Sequence, residues 1–193
     1  MRITAGRFKG RTLHAPQDRR TRPTSDKVRQ AVFNILAHGE IGADFTLEGA
    51  AVIDVFAGTG AMGLEAISRG AGFCLFVEDA AAARALIRQN VEALGLSGVT
   101  KLSRRDGTAL GPLSASAKGP FGLAILDPPY RRGLLAPALR ALSEGGWLLS
   151  GALAICEAAA DDDVALPPGY ALLDTRKYGE SKILILGFAL QSP

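Results

Sequence analysis

With 193 residues, 48% hydrophobic and 21% charged, the chain lies in the range of one globular α/β domain able to bury a substantial core. No apolar run of about 18 residues free of charge occurs. The opening Met1-Arg2-Ile3-Thr4 lacks the apolar core of a secretory signal, so a soluble, cytoplasmic, monomeric protein with no membrane partner is the expectation.

The net charge of +3 is unevenly spread. Residues 1–29 hold Arg2, Arg7, Lys9, Arg11, Arg19, Arg20, Arg22, Lys27 and Arg29 against Asp18 and Asp26, a balance of +7, and the rest of the chain carries −4. A basic lobe on a mildly acidic domain is the pattern expected of phosphate contacts, because each neutralised phosphate releases a condensed counterion. Ile3, Phe8 and Leu13, with turn candidates at Gly6 and Gly10, predict an ordered hairpin rather than a solvated tail. The reading is therefore a basic arm over 1–24 that contacts RNA, followed by a main domain over 25–193.

In chain order, Arg22-Pro23-Thr24-Ser25 leads into a helix carried by Val28, Val32, Ile35 and Leu36, capped by Thr or Ser and ending near Gly39. From about residue 50, strand-like and helix-like segments alternate, the signature of a doubly wound, mostly parallel sheet. Strands are predicted at 51–56, 73–77, 99–103, 123–126 and 152–157. Helices are predicted at 62–69, 81–94, weakly near Thr108, and at 134–142. The apolar stretches 170–174 and 182–190 are joined by too short a link for a parallel crossover, so they should pair as an antiparallel hairpin at the sheet edge. Cys74 and Cys156 each fall inside an apolar strand with neither CxxC spacing nor a nearby His, which predicts inert core thiols and no metal site.

The strand 51–56 runs into Ala57-Gly58-Thr59-Gly60-Ala61-Met62-Gly63 and then a helix, so Gly58, Gly60 and Gly63 complete G-x-G-x-x-G in the strand-loop-helix setting that gives the motif meaning. Alone it suggests a dinucleotide. Asp54 changes the reading: a carboxylate beside this loop opposes a pyrophosphate but suits a cationic ligand such as S-adenosylmethionine, which carries a sulfonium and an ammonium. Asp54, Phe56, Ala57, Gly58, Thr59 and Gly60 are thus the expected cofactor loop. Glu78, at the end of the second strand, is expected to hold the ribose, with Asp79 on the surface, and Asp106-Gly107, after the third, to meet the adenine.

The buried strand 123–126 ends at Asp127-Pro128-Pro129-Tyr130, facing the same cleft. Methylation of an exocyclic amine is a direct displacement in which the nitrogen lone pair must be aimed at the donor methyl, so positioning is the main task. The Asp127 carboxylate and the Pro128 carbonyl can accept the two amine hydrogens. Pro128 and Pro129 stiffen the carbonyl direction, and Tyr130 offers a face for a base taken out of its stack. No covalent nucleophile is required, which argues against carbon-5 methylation of pyrimidines.

These residues resemble the RsmD-like bacterial methyltransferases that act on N2 of a guanine in small-subunit (16S) ribosomal RNA. The likeness runs over nearly the whole chain: Met1-Arg2-Ile3-Thr4-Ala5-Gly6, Lys9-Gly10-Arg11, Arg22-Pro23-Thr24, Phe33-Asn34-Ile35-Leu36, the glycine loop, Gly63-Leu64-Glu65-Ala66, Asn90, the Asp127 tetrapeptide and Lys177-Tyr178-Gly179. The resemblance implies a Rossmann-like S-adenosylmethionine-dependent methyltransferase fold of seven strands, a small subunit or assembly intermediate as substrate, and no metal. It also implies that Arg22 and Thr24 border the active cleft. The chain departs from the family pattern in the Ala80 to Ala83 run and in Pro167-Pro168-Gly169. The alternatives are adenine-N6 methylation of DNA or RNA, disfavoured on DNA by the lack of a target-recognition insertion; methylation of protein glutamine, disfavoured by the basic arm and by Asp at 127; and a non-catalytic RNA-binding module.

Overall fold

The computed structural model describes residues 1–16, 26–37 and 45–190. The expected cap at Thr24 or Ser25, the helix end near Gly39 and the residues Arg22 and Thr24 lie outside them. Strands β1 (Ala51–Val55), β2 (Phe73–Val77), β3 (Thr100–Ser103), β4 (Phe121–Leu126) and β5 (Leu148–Ala159) are parallel. The last two strands, β6 (Tyr170–Tyr178) and β7 (Ser181–Phe188), form the predicted antiparallel hairpin, and the seven-stranded order is β3-β2-β1-β4-β5-β7-β6. The central strands read as unbroken apolar runs because both faces are covered. On one face α1 (Asp26–Ala37), α2 (Ala61–Ser68) and α3 (Ala81–Ala93) bury Val32, Phe33, Leu64, Ile67 and Ile87 against Val52, Cys74, Phe76 and Ile125. On the other, α4 (Leu135–Glu144) and Trp147 pack on Ile53, Val55, Leu75, Ala124 and Cys156. No helix among the described residues is long and apolar enough to cross a membrane.

Three local expectations are corrected. The helix near Thr108 does not form: Gly107, Gly111 and Pro112 interrupt the segment, and Asp106 closes a turn instead, its Oδ1 accepting from the Thr108 amide at 2.8 Å and hydroxyl at 2.7 Å. Strand β5 begins four residues before 152, through a register irregularity opposite Phe121 and Leu123. The link 175–181 is mostly strand: Tyr178 pairs with Ser181, leaving Gly179-Glu180 as a two-residue turn. Its sequence hides this because β6 is an edge strand with consecutive exposed residues, polar at Thr175, Arg176 and Lys177.

The N-terminal arm is a hairpin, with Arg2 bridged to Thr12 and Gly10 N–H donating to the Ile3 carbonyl at 2.9 Å. It packs into the same core as α1 and α2 through Ile3 and Leu13, both nearly inaccessible. Its polar anchor is Glu65 on α2. One oxygen of Glu65 accepts from the Thr4 hydroxyl at 2.6 Å, the Ala5 amide at 3.0 Å and Arg69 Nε at 2.8 Å. The other accepts from the Thr4 amide at 2.8 Å and Arg29 Nε at 3.2 Å. Arg29, counted among the basic residues of the lobe, is 0% exposed and spent on this anchor, where it also pairs with Asp26 and bonds the Arg2 carbonyl. Burial pushes the Glu65 carboxyl up, but the Thr4 hydroxyl and amide and the Arg69 guanidinium outweigh it and hold its pKa below the ordinary value.

Candidate active site

The site is a row of residues where the strands end. Val55 is in register with Val77 on one side and Leu126 on the other, and Leu126 with Cys156, so Glu78, Phe56 and Asp127 leave three neighbouring strands side by side, with Glu157 of β5 next in the row. Adjacent strands lie about 4.8 Å apart. The Asp127 amide donates to the Val55 carbonyl at 3.4 Å, tying the Asp127 loop to the mouth of the glycine loop.

Two non-glycine residues in this row take the left-handed backbone region, Phe56 at φ 60° and Arg131 at φ 58°. For a bulky residue such as Phe56 this is a strained conformation, which persists only when the surroundings impose it. The Phe56 ring lies against Gly107, where a Cβ would stand 2.8 Å from its Cζ. Gly60, at φ 77°, caps α2, and Gly63 lets that helix sit directly on the sheet: a Cβ there would meet Cys74 Sγ and Phe76 Cε1 at 2.5 Å.

Asp54 is buried beneath the loop, and its Oδ2 accepts from the Gly63 amide at 2.9 Å in the first turn of α2. Its pKa is raised well above the ordinary carboxyl value by burial, against the Gly63 bond, and further by repulsion from Asp127 and Glu78. Glu78 is buried too: Oε2 accepts from the Gly58 amide and Oε1 from the Ala80 amide, at 2.8 and 2.9 Å. Asp79 is exposed. Asp106 is exposed as well, with Oδ1 engaged by Thr108, while Gly107 is buried. In the tetrapeptide Pro128 is buried, Pro129 exposed and Asp127 partly buried. The Tyr130 hydroxyl donates to Glu157 Oε1, and its pKa is pushed up by burial and then by Glu157. The sequence reading missed Glu157. Its signal was a carboxylate within an apolar stretch of a parallel strand, next in register to Asp127.

Among the described residues, the arm meets this row through the base of its hairpin. Asn90 on α3 accepts from the His14 amide at 2.6 Å and donates to the His14 and Thr59 carbonyls at 3.1 and 3.0 Å, fastening the base of the hairpin to the glycine loop. The hairpin turn is instead fixed to Ser68 at the far end of α2, where the Arg7 amide donates to the Ser68 carbonyl at 2.8 Å. Arg11 Nη2 donates to the carbonyl of Ala93, the last residue of α3. Arg2, Arg7, Lys9 and Arg11 are all exposed, with Arg7 beside the C-terminal end of α2 and Arg11 beside that of α3.

A family model described as Conserved hypothetical protein 95 matches residues 1–187. The chain belongs to this family, the RsmD family. Its relative in Escherichia coli K12, named Ribosomal RNA small subunit methyltransferase D, is 34% identical over 169 residues, 87% of this chain and 79% of that protein. YlbH of Bacillus subtilis is 36% identical over 190 residues, 96% and 97% of the two chains. The solved structure of YhhF from Escherichia coli matches with a TM-score of 0.82 at 28% identity over 99% of each chain. The family's sheet is the Rossmann-like one of the S-adenosylmethionine-dependent methyltransferases, with β7 inserted antiparallel beside β5.

Proposed function

We propose that this RsmD-family chain transfers the methyl group of S-adenosylmethionine to the exocyclic N2 of a guanine in 16S ribosomal RNA. It acts in the cytoplasm, as a monomer and without a metal, on a 30S particle or an assembly intermediate. The observation that carries the reading is the register of the strand ends, which sets the Asp127 tetrapeptide beside the glycine loop in a chain of this family.

The residues at the loop fit the donor. Three carboxyl groups, Asp54, Glu78 and Asp127, stand together at the strand ends, and the Asp54 pKa is raised first by burial and further by repulsion from the other two. A cation relieves that repulsion and a pyrophosphate adds to it. Glu78 can hold ribose hydroxyls through lone pairs its backbone donors leave over, and Phe56, Ala57, Gly58, Thr59, Gly60, Asp106 and Gly107 line the rest of the donor site. When bound, S-adenosylmethionine supplies an electrophilic methyl on a positively charged sulfur.

The chain's own part is placement and charge. Asp127 and the Pro128 carbonyl accept the two hydrogens of the amine, which turns its lone pair toward the methyl, and the charge that develops on nitrogen falls beside the Asp127 carboxylate. That carboxylate then takes the proton the methylated nitrogen sheds. The Tyr130 ring, held by Glu157, gives the extruded base a surface to lie on, with Pro129 keeping the turn rigid. The thiols take no part: Cys74 and Cys156 are fully buried and burial raises both pKa values. Arg2, Arg7, Lys9 and Arg11, together with Arg22 and Thr24, hold the RNA phosphates and strand.

Asp127→Ala should bind S-adenosylmethionine as the wild type does by calorimetry, yet lose methyl transfer to undermethylated 30S particles by about 10²–10³-fold in a tritium assay. Transfer at the wild-type rate would remove Asp127 from the chemistry.

A further inference from the structure

We infer that Glu157 is the residue that selects guanine, by accepting the ring N1–H of the base whose N2 is held by Asp127 and Pro128. The inference rests on the guanine-N2 reading above. Four observations carry it. Glu157 is only 7% exposed, although it is a carboxylate within the buried stretch 152–159 of β5. The β4–β5 register makes it the next residue across from Asp127, about 5 Å away through the ladder. It lines a cavity of about 380 Å³ whose other walls are Pro128, Pro129, Tyr130, Leu134 and Ala158, a volume in the range of small-molecule sites. It also accepts the Tyr130 hydroxyl, which fixes the carboxylate relative to the ring on which the base lies.

The base chemistry follows from donors and acceptors. Guanine is the base whose exocyclic amine and neighbouring ring nitrogen both donate on one edge. Two carboxylates in adjacent register, Asp127 and Glu157, answer that edge in order. Adenine and cytosine place an acceptor lone pair on the ring nitrogen beside the amine, which would set lone pair against lone pair at the Glu157 carboxylate.

The test uses 30S particles reconstituted with RNA carrying either guanine or 2,6-diaminopurine at the position the wild type methylates. Diaminopurine keeps the 2-amino group but turns N1 into an acceptor. The wild type should prefer guanine by at least about 100-fold in kcat/KM, since a site built to receive a donor rejects the analogue that lacks it. Glu157→Gln, which can still accept the Tyr130 hydroxyl while offering an amide donor to N1, should bring the two particles to within a few-fold of each other, with S-adenosylmethionine affinity retained. Tyr130→Phe should slow both substrates and keep the guanine preference. Equal wild-type transfer to both particles, or an unchanged preference in Glu157→Gln, would overturn the inference and leave the N2 reading standing. No transfer to the guanine particle would overturn that reading itself.

Discussion

The strand-end row and the basic arm are held by opposite means. In the row, carboxyl groups are crowded: burial, and then repulsion from Asp127 and Glu78, disfavours the charge on Asp54, and Phe56 sits in a strained backbone state. In the arm, a single carboxyl, Glu65, is saturated by two arginines and three backbone or hydroxyl donors, so its charge is stabilised rather than strained. Strain belongs where a ligand is to relieve it, and satisfaction belongs where a cationic surface must be held still. Among the described residues, hydrogen bonds between the two regions run through Asn90, Thr59, His14 and Met1. Chemistry and RNA affinity should therefore come apart under mutation.

The sharpest way to break this contrast is Glu65→Ala. It strands Arg29 and Arg69 beside the arm, and removal of one partner from a buried ion network costs about 3–5 kcal/mol, to be read as loss of stability in urea unfolding. A cost near zero would show that the anchor is not Glu65. Replacing Arg7, Lys9 and Arg11 by Ala should leave kcat at saturating substrate within a few-fold of wild type while lowering the slope of log affinity against log salt by about 2. An unchanged slope would take the arm off the RNA. Asp54→Asn keeps an acceptor for the Gly63 amide but removes a charge that burial disfavours. The free protein should then melt at a slightly higher temperature and bind S-adenosylmethionine roughly tenfold more weakly. Tighter binding would contradict a cation-seeking row.

The smallest effect is on acid stability. Glu65 has a folded pKa below its unfolded value of about 4.3, so its contribution is complete above that value and is lost as pH falls through the folded one. Thermal melts of the wild type should decline below about pH 4 more steeply than those of Glu65→Gln.

Alternation of apolar runs was enough to read the parallel sheet, because strands buried on both faces leave unbroken runs such as 123–126. The glycine loop and the Asp127 tetrapeptide were legible because each follows its strand directly. The edge hairpin was legible in type but not in extent, since β6 exposes consecutive residues and has no apolar alternation across 175–178. Glu157 was hidden for a different reason. Its meaning depends on the β4–β5 register, which a bulge near Gly151 sets and no local pattern records. Likewise, charge counting found the basic lobe but missed that Arg29 is buried and that the hairpin turn points away from the catalytic row. Charge is additive along a sequence; direction comes only with the packing of Ile3 and Leu13.

The central claim is that the row methylates N2 of a guanine in small-subunit RNA. It is tested most directly by incubating the purified protein and S-adenosylmethionine with 30S particles from cells lacking its gene, then digesting the RNA for nucleoside mass spectrometry. The account predicts a gain of N2-methylguanosine at one position, abolished in Asp127→Ala. A gain of N6-methyladenosine instead, or no methylated nucleoside at all, would contradict it.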